Sequence, residues 1–156
     1  MTTLYVDNIA PNLQSRVSVP GHVIQVQYAQ TQDASQITTS STSLVASGIQ
    51  VRITPTSTSS KILVHFNTSM QDHDSASNIK GQIYVDGSAW GSSGQYQLGY
   101  GVASNRYGPW SWYGVHSPSS TSEILFEPYF RAGTAATCKL VHNQASYMLY
   151  AMEIAG

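Results

Sequence analysis

Apolar and polar positions alternate along most of this chain with a period of two, the signature of strands that bury one face. In His22–Gln30 (HVIQVQYAQ), Val23, Ile24 and Val26 interleave with Gln25, Gln27 and Gln30, predicting a strand with one wet face. A polar loop with a short strand at Ile37–Thr39 follows, and Ile49–Ile53 then sets Ile49, Val51 and Ile53 against Gln50 and Arg52. Pro55 and the TSTSS run force a turn, after which Lys61–Met70 is apolar on both faces at its centre, as expected of a strand that lies between neighbours or against a second sheet. Ile79–Val85 runs into Asp86-Gly87, a favoured tight-turn pair, and Ser88–Trp90 begins the return strand. Between Gly91 and Ser122 glycine is too dense for a long helix, because each internal Gly costs about 1 kcal/mol relative to Ala. The last third reads as three strands, Glu123–Arg131, Ala136–Val141 and Ser146–Ile154. No stretch keeps a 3.6-residue spacing, so the expected fold is all-β: a jelly-roll β-sandwich over residues 21–156. Residues 1–20, with Pro11, Pro20 and scattered apolar positions (Leu4, Tyr5, Val6, Ile9, Leu13, Val17), read as an extended N-terminal arm.

Composition changes this picture in one respect. Only 10% of the 156 residues are charged, against about 25% in ordinary domains, while 23 serines, 13 threonines and 12 glutamines supply the polarity. The net charge of −1, without a block of like charges, leaves no electrostatic footprint for nucleic acid or anionic lipid, so neither is an expected partner. Near-zero net charge favours association. Met1–Asp7 lacks the basic and apolar regions of a secretory signal, and the apolar runs are far shorter than the ~20 residues that span a bilayer, so a soluble chain is expected. The single cysteine, Cys138, excludes an intrachain disulfide framework and a Cys-based zinc site, and it reads as a small buried hydrophobe.

Candidate chemistry is sparse. Asp72-His73-Asp74 is the one tight group of potential metal ligands, though a solvated turn in which the aspartates cap backbone amides is the plainer reading. His22, His65, His116 and His142 are scattered. No G-x-S-x-G elbow or phosphate loop is present. Glu123 and Glu127 could form an acid pair of the glycosidase kind only if strand alternation holds between them. Neither an enzyme nor a cofactor is expected. The aromatic stretch Tyr107, Trp110, Trp112 and Tyr113 could stack on a ligand or form a protein contact, but Trp110 and Trp112 share one strand face and are expected to fill a core or an interface.

Two separated motifs resemble a family of tailed-bacteriophage structural proteins from marine and freshwater phages, including those of cyanobacteria. Gly48–Val64 meets the pattern G-I-x-V-x-I-T-P-x-S-x-x-S-K-I-L-V, and Met152–Gly156 supplies a closing Met-Glu-Ile-Ala-Gly. The opening TLYVDNI is similar to the N-termini of such chains. The resemblance implies a virion protein whose jelly roll is similar to the trimeric complement-head and tumour necrosis factor-like domains. It implies a homotrimer with Tyr147, Leu149, Tyr150 and Met152 near the threefold axis. The preferred role is a capsid decoration or cement protein on the particle surface, made in the host cytoplasm and bound to the major capsid protein through the arm. The alternative is a tail-fibre tip or receptor-binding protein whose Gly/Tyr/Trp segment contacts host glycans.

Overall fold

In the computed structural model, residues 19–31, 35–72, 79–91, 96–98, 106–134, 136–141 and 146–156 are described. The arm residues Leu4, Tyr5, Val6, Ile9, Leu13 and Val17, and the potential ligands His73 and Asp74, lie outside them. The described chain is all-β, with no helix. Its strands are β1 (Val23–Thr31), β2 (Ile37–Thr39), β3 (Val45–Ala46), β4 (Val51–Ile53), β5 (Lys61–Asp72) and β6 (Ile79–Val85). They continue with β7 (Ser88–Ala89), β8 (Tyr96–Leu98), β9 (Arg106–His116), β10 (Ile124–Ala132), β11 (Cys138–Leu140) and β12 (Tyr147–Ile154).

Two antiparallel sheets result. The first runs β1-β12-β5-β9, with β11 and β2 continuing beside the far half of β5. In the second, β10 is flanked by β6 on one side and by β3 and then β4 on the other, while β7 and β8 edge β6. The chain changes sheet at β2–β3, β4–β5, β5–β6, β8–β9, β9–β10 and β10–β11, which is the alternation of a jelly roll.

Alternation decides what enters the core. Ile62, Val64 and Phe66 of β5 face Phe126 and Phe130 of β10, with Leu149 and Ala151 of β12 and Ile79 and Ile83 of β6 filling the space between. Trp110 of β9 lies edge-on to Phe66, ring centroids 4.8 Å apart. Its six-membered ring occupies the volume a side chain at position 81 would need: a Cβ on Gly81 would lie 2.5 Å from it. The expected hairpin forms as read, with Asp86 at φ 49° and Gly87 at φ 77°, the two left-handed residues of a type I′ turn.

Two buried carboxylates fix the irregular connections. Between β3 and β4 the chain bulges at Ser47–Gln50, with Gly48 at φ 77°. Glu127 on β10 accepts the Gly48 N–H at 3.0 Å and the Gln50 side-chain amide at 3.1 Å. Glu153 on β12 is fully buried. Its Oε1 accepts from the Thr56 N–H, Thr56 Oγ1 and Ser60 Oγ, each at 2.7 Å, and its Oε2 from Gln25 Nε2 at 2.7 Å. Burial alone would push the Glu153 carboxyl up; the Gln25, Ser60 and Thr56 donors outweigh it and hold the group below its ordinary value. The two motifs of the sequence therefore meet in space: Met152–Gly156 grips the TPTSTSS turn through Glu153, and Gly156 packs so closely on the Ser59 backbone that a side chain there would collide.

The chain reaches β1 through a tight turn. His22 N–H donates to the Val19 carbonyl at 3.0 Å across Pro20 and Gly21, with Gly21 at φ 84°, the arrangement of a type II turn. Gly21 and His22 also bond to Ala155, just past the end of β12.

Candidate interaction surface

The outer face of the first sheet departs from the sequence expectation. β1 was expected to bury its valines and wet its glutamines. Instead Gln25 stands opposite Glu153 on the inward side, while Val26 and Tyr28 point to solvent, Tyr28 at 66% exposure. The cause is the irregular register at Val23–Gln25, which shifts the side-chain phase, together with the pull of the buried Glu153 on the Gln25 amide. β5 lies between β12 and β9 and against the second sheet, as expected, with Ile62, Val64 and Phe66 inward and Leu63 and His65 on the outer face.

Cross-strand register aligns these outward residues into rows spanning β1, β12, β5 and β9. One row is Tyr28, Tyr150, His65 and Tyr113; the next is Val26, Met152, Leu63 and Val115; a third is Gln30, Met148, Asn67 and Ser111. None of these twelve side chains carries a carboxylate, ammonium or guanidinium group. His65 lies edge-on to Tyr150 at 5.3 Å, and its Nε2 is 3.1 Å from Ser111 Oγ. Lys61 lies beyond the rows and donates to Ser117 Oγ at 2.8 Å. The face has relief. Val26, Tyr28, Gln30, Met148, Tyr150 and Met152 line a shallow depression of about 320 Å³ over β1 and β12. On β9, Tyr113 and Val115 stand proud at 77% and 59% exposure.

The outer face of the second sheet has the opposite character. Arg52 pairs with Glu123 at 3.0 Å, and Arg131 donates to the Thr42 carbonyl at 3.0 Å. Tyr84 and Tyr129 stack on each other at 3.8 Å. Burial, the Glu127 charge and Tyr84 together raise the Tyr129 hydroxyl above its ordinary value. The two outer faces of the sandwich thus differ: one carries the Arg52–Glu123 pair and Arg131, the other rows of aromatic and aliphatic residues bordered by the uncharged polar Gln30, Asn67 and Ser111.

The residues singled out from the sequence divide between inside and outside. Trp110 is buried and Trp112 is half-buried against the core, in edge contact with Trp90 at 4.8 Å, whereas Tyr107 and Tyr113 of the same strand face outward. The four aromatics therefore do not form one platform. On β12, Tyr147 and Leu149 point inward and Tyr150 and Met152 outward, so Leu149, with no exposed surface, is a core residue and the expected seam is halved. Glu123 and Glu127 are held apart in use, one by Arg52 and the other by Gly48 and Gln50. Asp72 ends β5, and no group of three potential metal-ligating side chains occurs among the described residues. Cys138 is buried in β11. His116 packs against Trp90 and Phe126 beside Trp112; burial lowers its pKa below 6.5 and the Asp86 charge offsets part of that. Val26, Tyr28, Leu63, Met148 and Val115 escaped the sequence reading. The signal for Met148 was β12 itself, apolar on both faces in a sheet that has a second layer on one side only.

No family model matches the chain, and no curated protein matches it. Among solved structures, VP2 of infectious bursal disease virus in derived T=1 particles is similar at 11% identity and a TM-score of 0.48, over 96% of this chain and 41% of that one. The Gx strain of the same virus gives 12% and 0.47 over 98% and 42%. A VP2 subviral particle gives 11% and 0.46 over 96% and 42%. This chain spans less than half the length of those proteins, and at these values the likeness says nothing about what it does. None of these comparisons supports the phage resemblance.

Proposed function

We propose that this chain is a structural protein of a bacteriophage virion, specifically a capsid decoration or cement protein that binds the shell as a homotrimer and has no catalytic role. The observation that carries the reading is the three outer rows across β1, β12, β5 and β9 that hold no carboxylate, ammonium or guanidinium group, and whose exposed tyrosines, valines and methionine suit contact with protein better than contact with water. The Ser/Thr/Gln-rich remainder keeps such a particle component soluble with little charge. Residues 1–20 supply the attachment arm, and the turn at Val19–His22 separates it from the sandwich. The tail-tip alternative rests on the Gly/Tyr/Trp segment, in which Trp110 and Trp112 pack toward the core while Tyr107 and Tyr113 stay exposed; the same virion count separates it from decoration.

Quantifying virion proteins tests this reading. Hundreds of copies per particle are expected, and a handful would refute decoration. Particles exposed to the sandwich lacking residues 1–20 should remain bare, and binding that survives the deletion would refute the arm.

A further inference from the structure

β1 belongs to the first sheet but not to the core. Its nine residues include no buried side chain, and among the described residues it is the only strand longer than three residues of which that is true. None of them joins the apolar cluster between the sheets or packs against it, whereas β5, β6, β9, β10 and β12 all contribute to it. Among the described residues β1 pairs with β12 alone, from Val23 opposite Ile154 to Thr31 opposite Tyr147. β12 is held without it: every residue from Tyr147 to Ile154 also pairs with β5, and Leu149 and Ala151 are fully buried. The side chain that ties β1 down is Gln25, whose Nε2 donates at 2.7 Å to both Glu153 Oε2 and the Thr54 carbonyl. Backbone bonds of 2.8 Å join Gly21 and His22 to Ala155. We infer that β1 is a detachable strand: it lifts from β12 as one unit, with Gln25 as its latch, while the sandwich stays folded.

Cooperativity is the reason. A strand shares the stability of the whole domain only as far as its departure takes apolar surface out of the core. Removing β5 or β10 would open the contacts of Phe66, Phe126 and Phe130. Removing β1 breaks a backbone ladder and the Gln25 bonds, and water replaces most of what those bonds supply. Lifting the strand therefore costs less than unfolding the domain. Two things follow from it. The segment Val19–Thr31 becomes free chain and lengthens the reach of whatever precedes it by roughly 40 Å. The edge of β12 is also bared beside Glu153, leaving a row of backbone donors and acceptors of the kind that takes an extended strand. The inference goes beyond the proposed function and does not rest on it.

Native-state hydrogen exchange of the full chain, followed by NMR in rising sub-denaturing urea, tests the inference. The β1 amides bonded to β12 should be protected, yet exchange about a hundredfold faster than those of β5 and β10. Their rates should depend little on urea, because lifting one edge strand exposes little surface. Ile83→Val, a mild change in the core of the part that stays folded, should speed β5 and β10 exchange about fivefold and leave β1 unchanged. Gln25→Ala should speed β1 exchange about tenfold, whereas Gln30→Ala, at an exposed position of the same strand, should leave it alone. Exchange of β1 at the rate of β5, or a β1 that follows β5 in Ile83→Val, overturns the inference, because β1 would then open only with the whole fold. It is also overturned if the β12 amides bonded to β5 exchange together with β1, or if β1 shows no protection at all. A Gln25→Ala variant that matches Gln30→Ala removes Gln25 as the latch.

Discussion

Replacing Glu153 tests whether one buried carboxylate holds the β4–β5 turn to both edges of the fold. Four donors converge on it: three at Oε1 from Thr56 and Ser60, and one at Oε2 from Gln25. In Glu153→Gln the amide oxygen can still serve the three donors, but its NH₂ then meets the Gln25 amide donor to donor. Gln25 can turn its own oxygen inward only by giving up the 2.7 Å bond to the Thr54 carbonyl. Hydrogen bonds to a charged acceptor contribute about 1.5–3 kcal/mol and neutral ones about 0.5–1.5, so one bond lost and three weakened come to about 4.5–7.5 kcal/mol; the neutral amide is spared the cost of burying a charge, which offsets part of this, and the variant should lose roughly 2–3 kcal/mol net. Glu153→Ala, which strands the donors of a buried network, should lose about 4 kcal/mol. Urea unfolding at neutral pH and fixed protein concentration measures both. The pH dependence is a second arm. The folded group sits below its ordinary 4.5, so its stabilisation is complete above that value and fades as pH falls through the lowered one. The gap between wild type and Glu153→Gln should therefore be constant near neutrality and shrink in acid. A Gln variant within about 0.5 kcal/mol of wild type at neutral pH would refute the account, because that is the scatter of an unimportant surface change.

Gly81→Ala should destabilise by about 1–3 kcal/mol, since the new Cβ lies 2.5 Å from the Trp110 ring; combining it with Trp110→Phe should cost less than the sum of the two singles in denaturant titrations. Gly87→Ala, at φ 77° with open space around it, should cost about 1 kcal/mol from backbone strain alone, and thermal melts will show whether it does. His116 is held neutral by burial, with its folded pKa below 6.5. Its contribution is complete above that value and is lost as pH drops through 6.5 toward the folded value, so melting temperature should decline over that window in wild type and less so in His116→Gln. NMR titration of the imidazole gives the same answer directly, and a pKa at or above 6.5 would contradict it.

Alternation made much of the fold legible. β6 and its type I′ turn follow directly from Ile79–Val85 and Asp86-Gly87, because period-two burial and two left-handed residues leave little freedom. β9 was legible only in part. Trp110 and Trp112 read as sharing one strand face, but the sequence set no bounds, and the strand runs unbroken for 11 residues through Gly108, Pro109 and Gly114. Pro109 is tolerated because, among the described residues, β9 is an edge strand that pairs only with β5. Gly114 is glycine because a Cβ there would strike the Trp112 ring at 2.6 Å. The interaction surface was half legible. Tyr150 and Met152 could be found from β12, but Val26 and Tyr28 could not, because a local register shift and one inward hydrogen bond set which face of β1 is wet.

The turn at Val19–His22 and its bonds to Ala155 bring the head of β1 and the tail of β12 to one pole of the sandwich, beside the TPTSTSS and Asp86-Gly87 turns. For anyone using the domain to display a peptide, that pole is crowded: a fusion after Gly156 would compete for space with whatever precedes Val19. Gly133-Thr134, between β10 and β11, lies at the other pole, and a foreign loop inserted there would leave both chain ends untouched.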